Sequence, residues 1–164
     1  MLMPSTSLEK LGQLLADQKL CIATVESASA GRLAAELALL EQSGKILKGG
    51  IVCYDAGIKT SLLNIPEDFI KEHSPESAEV TEAIARALTS KMEADIYVGI
   101  TGLTTPGGSE TEEKPVGTMF VHITGTTGDL PARHLFTGDP EQIILQTIDA
   151  VAETLLKALD KGQE

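Results

Sequence analysis

Leucines at positions 8, 11, 14 and 15 line one face of a helix, and Pro4-Ser5-Thr6-Ser7 predicts its start, with Ser7 as cap and Lys10 in the first turn. An apolar run from Lys19 to Val25 then reads as the first strand, and Leu33, Leu37 and Leu40 open a second helical pattern over about 31–40. Ile46 to Tyr54 predicts a second strand, in which Gly49-Gly50 permits a close backbone approach or a bulge. Asp55 to Leu63 reads as a short helix or turn stopped by Asn64-Ile65-Pro66, and Glu67 to Glu72 as another short helix broken by His73-Ser74-Pro75. Ser77 caps a longer helix with Val80, Ile84 and Leu88 on one face. Asp95 to Thr101 is near-continuously apolar, as in a strand covered on both faces. After a loop rich in Gly, Thr and Glu over 102–115, Val116 to Thr124 alternates as a strand. Gly125 to Gly128 turns, Arg133 to Phe136 returns, and a helix from Glu141 to Leu159 carries the stripe Ile144, Ile148, Val151 and Leu155. Helices interleaved with apolar strands predict an α/β fold, three layers (α/β/α) around a mixed, mostly parallel sheet. No repeat or linker divides 1–164, which reads as a single domain.

Composition narrows the partners. The 164 residues are 42% hydrophobic but only 3% aromatic, without Trp, so the core is built from Leu, Ile, Val and Ala. A net charge of −11 excludes the basic surface that nucleic acid or an anionic membrane requires. Cys21 and Cys53 sit in apolar runs with no metal-binding spacing and read as buried hydrophobes in a reducing compartment. The N-terminal stretch has no secretory pattern and no apolar run reaches spanning length, so a cytoplasmic location is expected.

Candidate chemistry collects where strands end, because ligands of α/β sheets sit outside the carboxyl ends of parallel strands. The first strand runs into Glu26-Ser27-Ala28-Ser29-Ala30-Gly31, a tight turn before a helix. A serine there can cap the helix, help hold an anion, or act as a nucleophile whose oxyanion is met by backbone donors. The second strand delivers Tyr54 and Lys59, and the third Thr101, Gly102, Gly107 and Gly108. A lysine desolvated beside a tyrosine can deprotonate a serine, which suffices for acyl transfer. Each member also has a plainer reading: Lys59 solvated, Tyr54 half-buried with its hydroxyl in water, the glycines a flexible loop. His73, His122 and His134 read as surface or strand residues, and Glu110, Glu112 and Glu113 as a solvated loop face that could take a cation.

Together these segments resemble the C-terminal domain of the CinA family, the nicotinamide-nucleotide amidohydrolases, over nearly the whole chain. Val25 to Gly31 falls on the signature A-E-S-C-T-G-G, and Gly49 to Tyr54 with Lys59 to Leu63 on G-G-x-x-x-Y-x-N-x-x-K-x-x-L-L. Thr101 to Gly108 falls on T-G-x-x-G-P-G-G, and Lys114 to Thr118 matches K-P-V-G-T. The resemblance implies a metal-independent, cofactor-free Ser–Lys amidohydrolase that converts nicotinamide mononucleotide to nicotinic acid mononucleotide and ammonia. It implies Ser27 as nucleophile, Lys59 as base and Tyr54 in support, with Thr101, Gly102, Gly107 and Gly108 forming the crevice. Glu26 becomes an orienting group at the substrate site, Ser29 a cap or backbone ligand, and Gly31 part of the binding turn. The larger N-terminal unit of two-domain members has no counterpart in these residues.

Three positions depart from the family pattern. Ala30 replaces a signature glycine, Ala56 replaces the asparagine after the tyrosine, and Gly138-Asp139-Pro140-Glu141 lacks the arginine suited to a nucleotide phosphate. Two further readings follow: a catalytically silent relative that binds a small ligand or assembles, and a hydrolase for an amide without phosphate. The apolar stripe of the last helix would also serve a homo-oligomer.

Overall fold

A computed structural model describes residues 4–160. Five strands form one sheet in the order β2-β1-β3-β4-β5: β1 Ile22–Glu26, β2 Leu47–Val52, β3 Ile96–Gly102, β4 Thr118–Gly125 and β5 Leu130–Leu135. β1 pairs in parallel with β2 and β3, whereas β4 runs antiparallel to both β3 and β5. Four strands thus point one way, and the sheet is the mixed, mostly parallel one expected. The helices are α1 Thr6–Gln18, α2 Arg32–Ala38, α3 Ser43–Ile46, α4 Ala56–Ser61, α5 Glu67–His73, α6 Ala78–Leu88 and α7 Pro140–Asp160. Among the described residues no helix is long and apolar enough to cross a membrane.

Strand alternation splits the core into two layers. Ile22, Ile96, Val98, Ile100, Met119, Val121 and Ile123 face α1, α2 and α7, packing on Leu8, Leu11, Leu33, Leu37, Val151 and Leu155. Ala23, Val25 and Tyr97 face the opposite way, onto Ile70, Val80, Ile84 and Leu88 of α5 and α6. Each fully buried aliphatic side chain contributes about 1.5–3 kcal/mol, so both layers hold the sheet from its two sides.

Local departures from the sequence reading have local causes. Ser5, not Ser7, caps α1 by accepting from the Leu8 N–H, which starts the helix one residue before Ser7. The loop expected at 41–44 closes into the four-residue α3. β5 begins at Leu130, earlier than expected, because Pro131 is tolerated on an edge strand. On α7 the innermost residue near the start is Ile143 rather than Ile144, and Thr147 joins the buried face by donating its hydroxyl to the Ile143 carbonyl. The Gly49-Gly50 pair does both things expected of it. The β1–β2 register slips between Ile22 and Ala23, and a Cβ on Gly50 would collide with Thr24 Oγ1.

Candidate active site

The alternation along β1 sets up the site. Ile22 and Thr24 precede Glu26 by even steps, so its carboxylate turns toward α2. Ser27, one residue on, follows Ala23 and Val25 toward α4. The backbone is clamped on both sides at this step: the Ser27 N–H donates to the Ile100 carbonyl and the Cys53 N–H to the Glu26 carbonyl, both at 2.9 Å. The turn then tightens through the Ala30 N–H, which donates to the Ser27 carbonyl at 3.0 Å.

Glu26 is 1% exposed, and its carboxylate is filled by four donors. Oε1 accepts from Ser29 Oγ at 2.7 Å and the Leu33 N–H at 2.9 Å; Oε2 accepts from Thr24 Oγ1 at 3.0 Å and the Ala34 N–H at 3.1 Å. Leu33 and Ala34 belong to the first turn of α2, whose N-cap, Gly31, has no side chain to offer. Glu26 supplies the missing cap from the preceding strand. This corrects three expectations. Glu26 has no acceptor to spare for a substrate; Ser29 ties down Glu26 instead of capping; and Gly31 (φ 90°), with Ser29, Ala30 and Arg32, lines a separate hollow beside α7. Ala30 adopts φ 50°, a left-handed conformation that a glycine would take without strain.

Lys59 is the counterpart. Asp55 caps α4 by accepting from the Gly57 N–H at 2.7 Å, and one turn later Lys59 points inward as the helix's only buried side chain. It is 1% exposed, so the solvated reading does not hold. Nζ donates to Ser27 Oγ at 3.0 Å and to the Cys53 carbonyl at 2.9 Å. No carboxylate lies within 4.0 Å of it among the described residues. Burial draws the ammonium below the ordinary lysine value, against weaker opposing pulls from Cys53, Glu76 and Asp55. The same burial pushes the Cys53 thiol up.

A small crevice opens over Ser27, bounded by Ala28, Tyr54, Glu76, Gly102, Leu103, Thr104, Thr105 and Gly108. Ser27, Tyr54, Gly102 and Gly108 therefore meet at one opening, with Lys59 behind the serine. Tyr54 is a wall and not a partner: it is 63% exposed, and its hydroxyl makes no hydrogen bond to Lys59 or Ser27. Thr101 is fully buried on the same face of the sheet as Ser27, but deeper, where its hydroxyl meets Thr81 Oγ1 at 2.8 Å. Because Thr81 donates its one proton to the Ser77 carbonyl at 2.5 Å, Thr101 is the donor in that pair and is committed to α6. Gly107 and Gly108 direct their N–H groups at Glu110, to Oε1 at 2.7 Å and Oε2 at 2.8 Å, so Glu110 serves the loop instead of a cation. A larger cavity of about 620 Å³ lies beyond α4, against Ile70 and Pro75, and contains none of Ser27, Tyr54 or Lys59.

The sequence reading missed Glu76, which enters the crevice from the residue before the α6 cap, and the Cys53 carbonyl, the second acceptor of Lys59. Neither carries a local pattern. The backbone N–H groups of Ala28 and Ser29, just past Ser27, donate to no protein acceptor among the described residues.

The chain as a whole is similar to known proteins. A CinA-like protein of Thermotoga sp. (strain RQ2) is 34% identical over 156 residues, covering 95% of this chain and 38% of that protein. One from Desulfotalea psychrophila is 35% identical over 133 residues, covering 81% and 32%. The chain thus spans about a third of the length of the curated relatives it matches. The crystal structure of a competence or damage-inducible protein from Enterobacter asburiae superposes with a TM-score of 0.87 at 22% identity, covering 97% of this chain and 99% of that one. A CinA superfamily protein from Escherichia coli gives 0.82 at 26% identity, covering 97% and 94%. The model of the CinA C-terminal domain matches residues 5–159, from the cap of α1 to the end of α7, and the chain belongs to that family.

Proposed function

We propose that the chain is a metal-independent amidohydrolase in which Ser27 attacks a small carboxamide and Lys59 moves the protons, with nicotinamide mononucleotide as the substrate the family resemblance suggests. The observation that carries this reading is the 3.0 Å contact between Lys59 Nζ and Ser27 Oγ, made by a lysine that is buried without a carboxylate. A surface lysine would stay charged and could only donate. One pulled below its ordinary value by burial can lose its proton and then accept the serine's.

The chemistry then runs in two halves. Neutral Lys59 takes the hydroxyl proton as Ser27 Oγ bonds to the amide carbon, and the Ala28 and Ser29 N–H groups, which hold no protein acceptor, are candidate donors to the oxyanion. The tetrahedral species collapses by breaking the C–N bond, Lys59 returns the proton to the departing nitrogen, and ammonia leaves. Water then attacks the seryl ester as Lys59 accepts its proton, the C–Oγ bond breaks as Lys59 passes that proton to Ser27 Oγ, and the acid leaves with the Ser27 hydroxyl and neutral Lys59 restored. The Cys53 carbonyl holds Nζ in place throughout, and Glu26 keeps the turn rigid through α2.

Ammonia release from nicotinamide mononucleotide by the purified chain, against a Ser27→Ala control from pH 6 to 10, is the test. Release that depends on Ser27 and rises with pH is expected. No release above the control at any pH, from the mononucleotide or from its phosphate-free riboside, would overturn the proposal and leave the silent ligand-binding relative as the reading.

A further inference from the structure

The walls of the crevice carry one carboxylate, Glu76, and no lysine or arginine among the described residues. Glu76 Oε2 accepts from the hydroxyls of Ser109 and Ser74. Oε1 has no protein partner, and no buried side-chain oxygen is left unpaired among the described residues, so Oε1 is open to solvent. The nearby cations are directed away from the wall. Arg32 pairs with Glu36 at 2.6 Å and Glu141 at 2.9 Å on the far side of the turn. Lys114 donates to Ser74 Oγ at 2.7 Å and to the Glu76 carbonyl at 2.9 Å, bracing the segment that presents Glu76. Lys59 lies behind Ser27, out of the wall.

The glycine loop gives a second, independent observation. Two successive backbone N–H groups form a seat for an anion. Those of Gly107 and Gly108 already hold both oxygens of Glu110. That interaction pulls the Glu110 carboxyl below the usual range, with the Gly107 N–H the largest cause. A phosphate at this opening would meet Glu76 on the wall and Glu110 on the adjoining loop, and no lysine or arginine side chain on the wall. Glu76 and Tyr54 both line the opening over Ser27 that a positive ring attached to the scissile amide would occupy, and both attract cations.

We propose that Glu76 is a specificity-determining residue that selects quaternary pyridinium carboxamides, and that with Glu110 it turns the site toward the phosphate-free, nucleoside-type substrate and away from the nucleotide. The inference rests on the amidohydrolase reading for the placement of the amide at Ser27. It replaces the expected nucleotide with its dephosphorylated counterpart. Hydrolysis also reinforces turnover: the neutral amide becomes a carboxylate, which Glu76 repels from the crevice.

Binding and turnover are measured separately so that the two readings fail differently. Calorimetry at low salt on the Ser27→Ala chain uses nicotinamide riboside, nicotinamide mononucleotide and nicotinamide. The riboside is expected to bind about tenfold or more tightly than either of the others, the size of one added attraction or one added repulsion near a surface. Glu76→Gln on that background is expected to remove the advantage of the riboside over nicotinamide. Glu110→Ala, which frees two N–H donors, is expected to bring the mononucleotide up toward the riboside. A mononucleotide that binds as tightly as the riboside, no binding of any of the three, or a Glu76→Gln effect equal across all three would overturn the inference. Ammonia release by the unmodified chain reports on the parent reading alone: riboside bound but never hydrolysed sinks the amidohydrolase, and mononucleotide preferred in both assays sinks only the selectivity.

Discussion

Two ionisable side chains are buried at the end of β1, each 1% exposed, and the fold treats them oppositely. Glu26 receives four donors and caps a helix, so its charge is matched at every oxygen. Lys59 receives two neutral acceptors and no carboxylate, so its charge is left mismatched. A matched buried charge stabilises the fold by holding its partners, and removing it leaves them unsatisfied. A mismatched one costs stability and gains reactivity, because the neutral form becomes accessible. The pair lies one strand step apart in its consequences, through Glu26 on one face and Ser27 on the other.

Replacing Lys59 by Met should separate the two quantities most sharply. Ammonia release should fall by about 10²–10⁴-fold, the usual contribution of a positioned base. Unfolding by denaturant should show the variant about 1–3 kcal/mol more stable near neutral pH, as when buried charge is replaced by apolar volume. The sign follows from linkage. The folded lysine holds its proton less tightly than the unfolded one, so stability of the natural chain rises with pH between the two values. The Met variant's advantage should therefore be greatest at neutral pH and vanish above the ordinary lysine value. A variant less stable than the natural chain at neutral pH would break the comparison from the lysine side.

Glu26→Ala tests the other side. It strands the Leu33 and Ala34 N–H groups at the start of α2, and urea unfolding should register a loss of about 3–5 kcal/mol. Ammonia release should fall with it, since the turn that carries Ser27 loses its anchor. A loss under about 1 kcal/mol would mean that water replaces the carboxylate and that Glu26 is no cap.

Smaller effects sharpen the picture. Ala30→Gly relieves the left-handed strain of about 1–2 kcal/mol, partly offset by the freer unfolded chain, for a net gain near 0.5–1 kcal/mol in thermal unfolding. Tyr54→Phe removes a hydroxyl without a partner, and kcat should stay within about twofold of the natural chain. A larger fall would restore the tyrosine to the chemistry.

The contrast also explains what the sequence could and could not tell. The layers were legible because helical leucine spacing and near-continuous apolar strands leave few arrangements, and the turn after β1 because small residues interrupt an apolar run. Ser27 and Lys59 were legible as types at a spacing. Which way each terminal residue faces was not, since a strand apolar on both sides has no alternation to reveal it. Thr101 does face the same side as Ser27, but its hydroxyl is spent on Thr81 of α6, a partner 20 positions away that no local pattern shows. Lys59 read locally as a surface lysine because the acceptors that bury it, Ser27 and Cys53, come from distant positions and from a backbone carbonyl. Glu110 hid the same way: three acidic residues in a loop look solvated, and only the folded loop shows one of them seated on Gly107 and Gly108.

The central claim is that Lys59 is neutral often enough to serve as the base for Ser27. Nitrogen NMR of the labelled lysine side chains, titrated from pH 5 to 11, reads this directly. The account expects the Lys59 resonance to titrate below the other lysines, at the same pH as the rising limb of ammonia release. Lys59 titrating with the surface lysines, or above them, would contradict it.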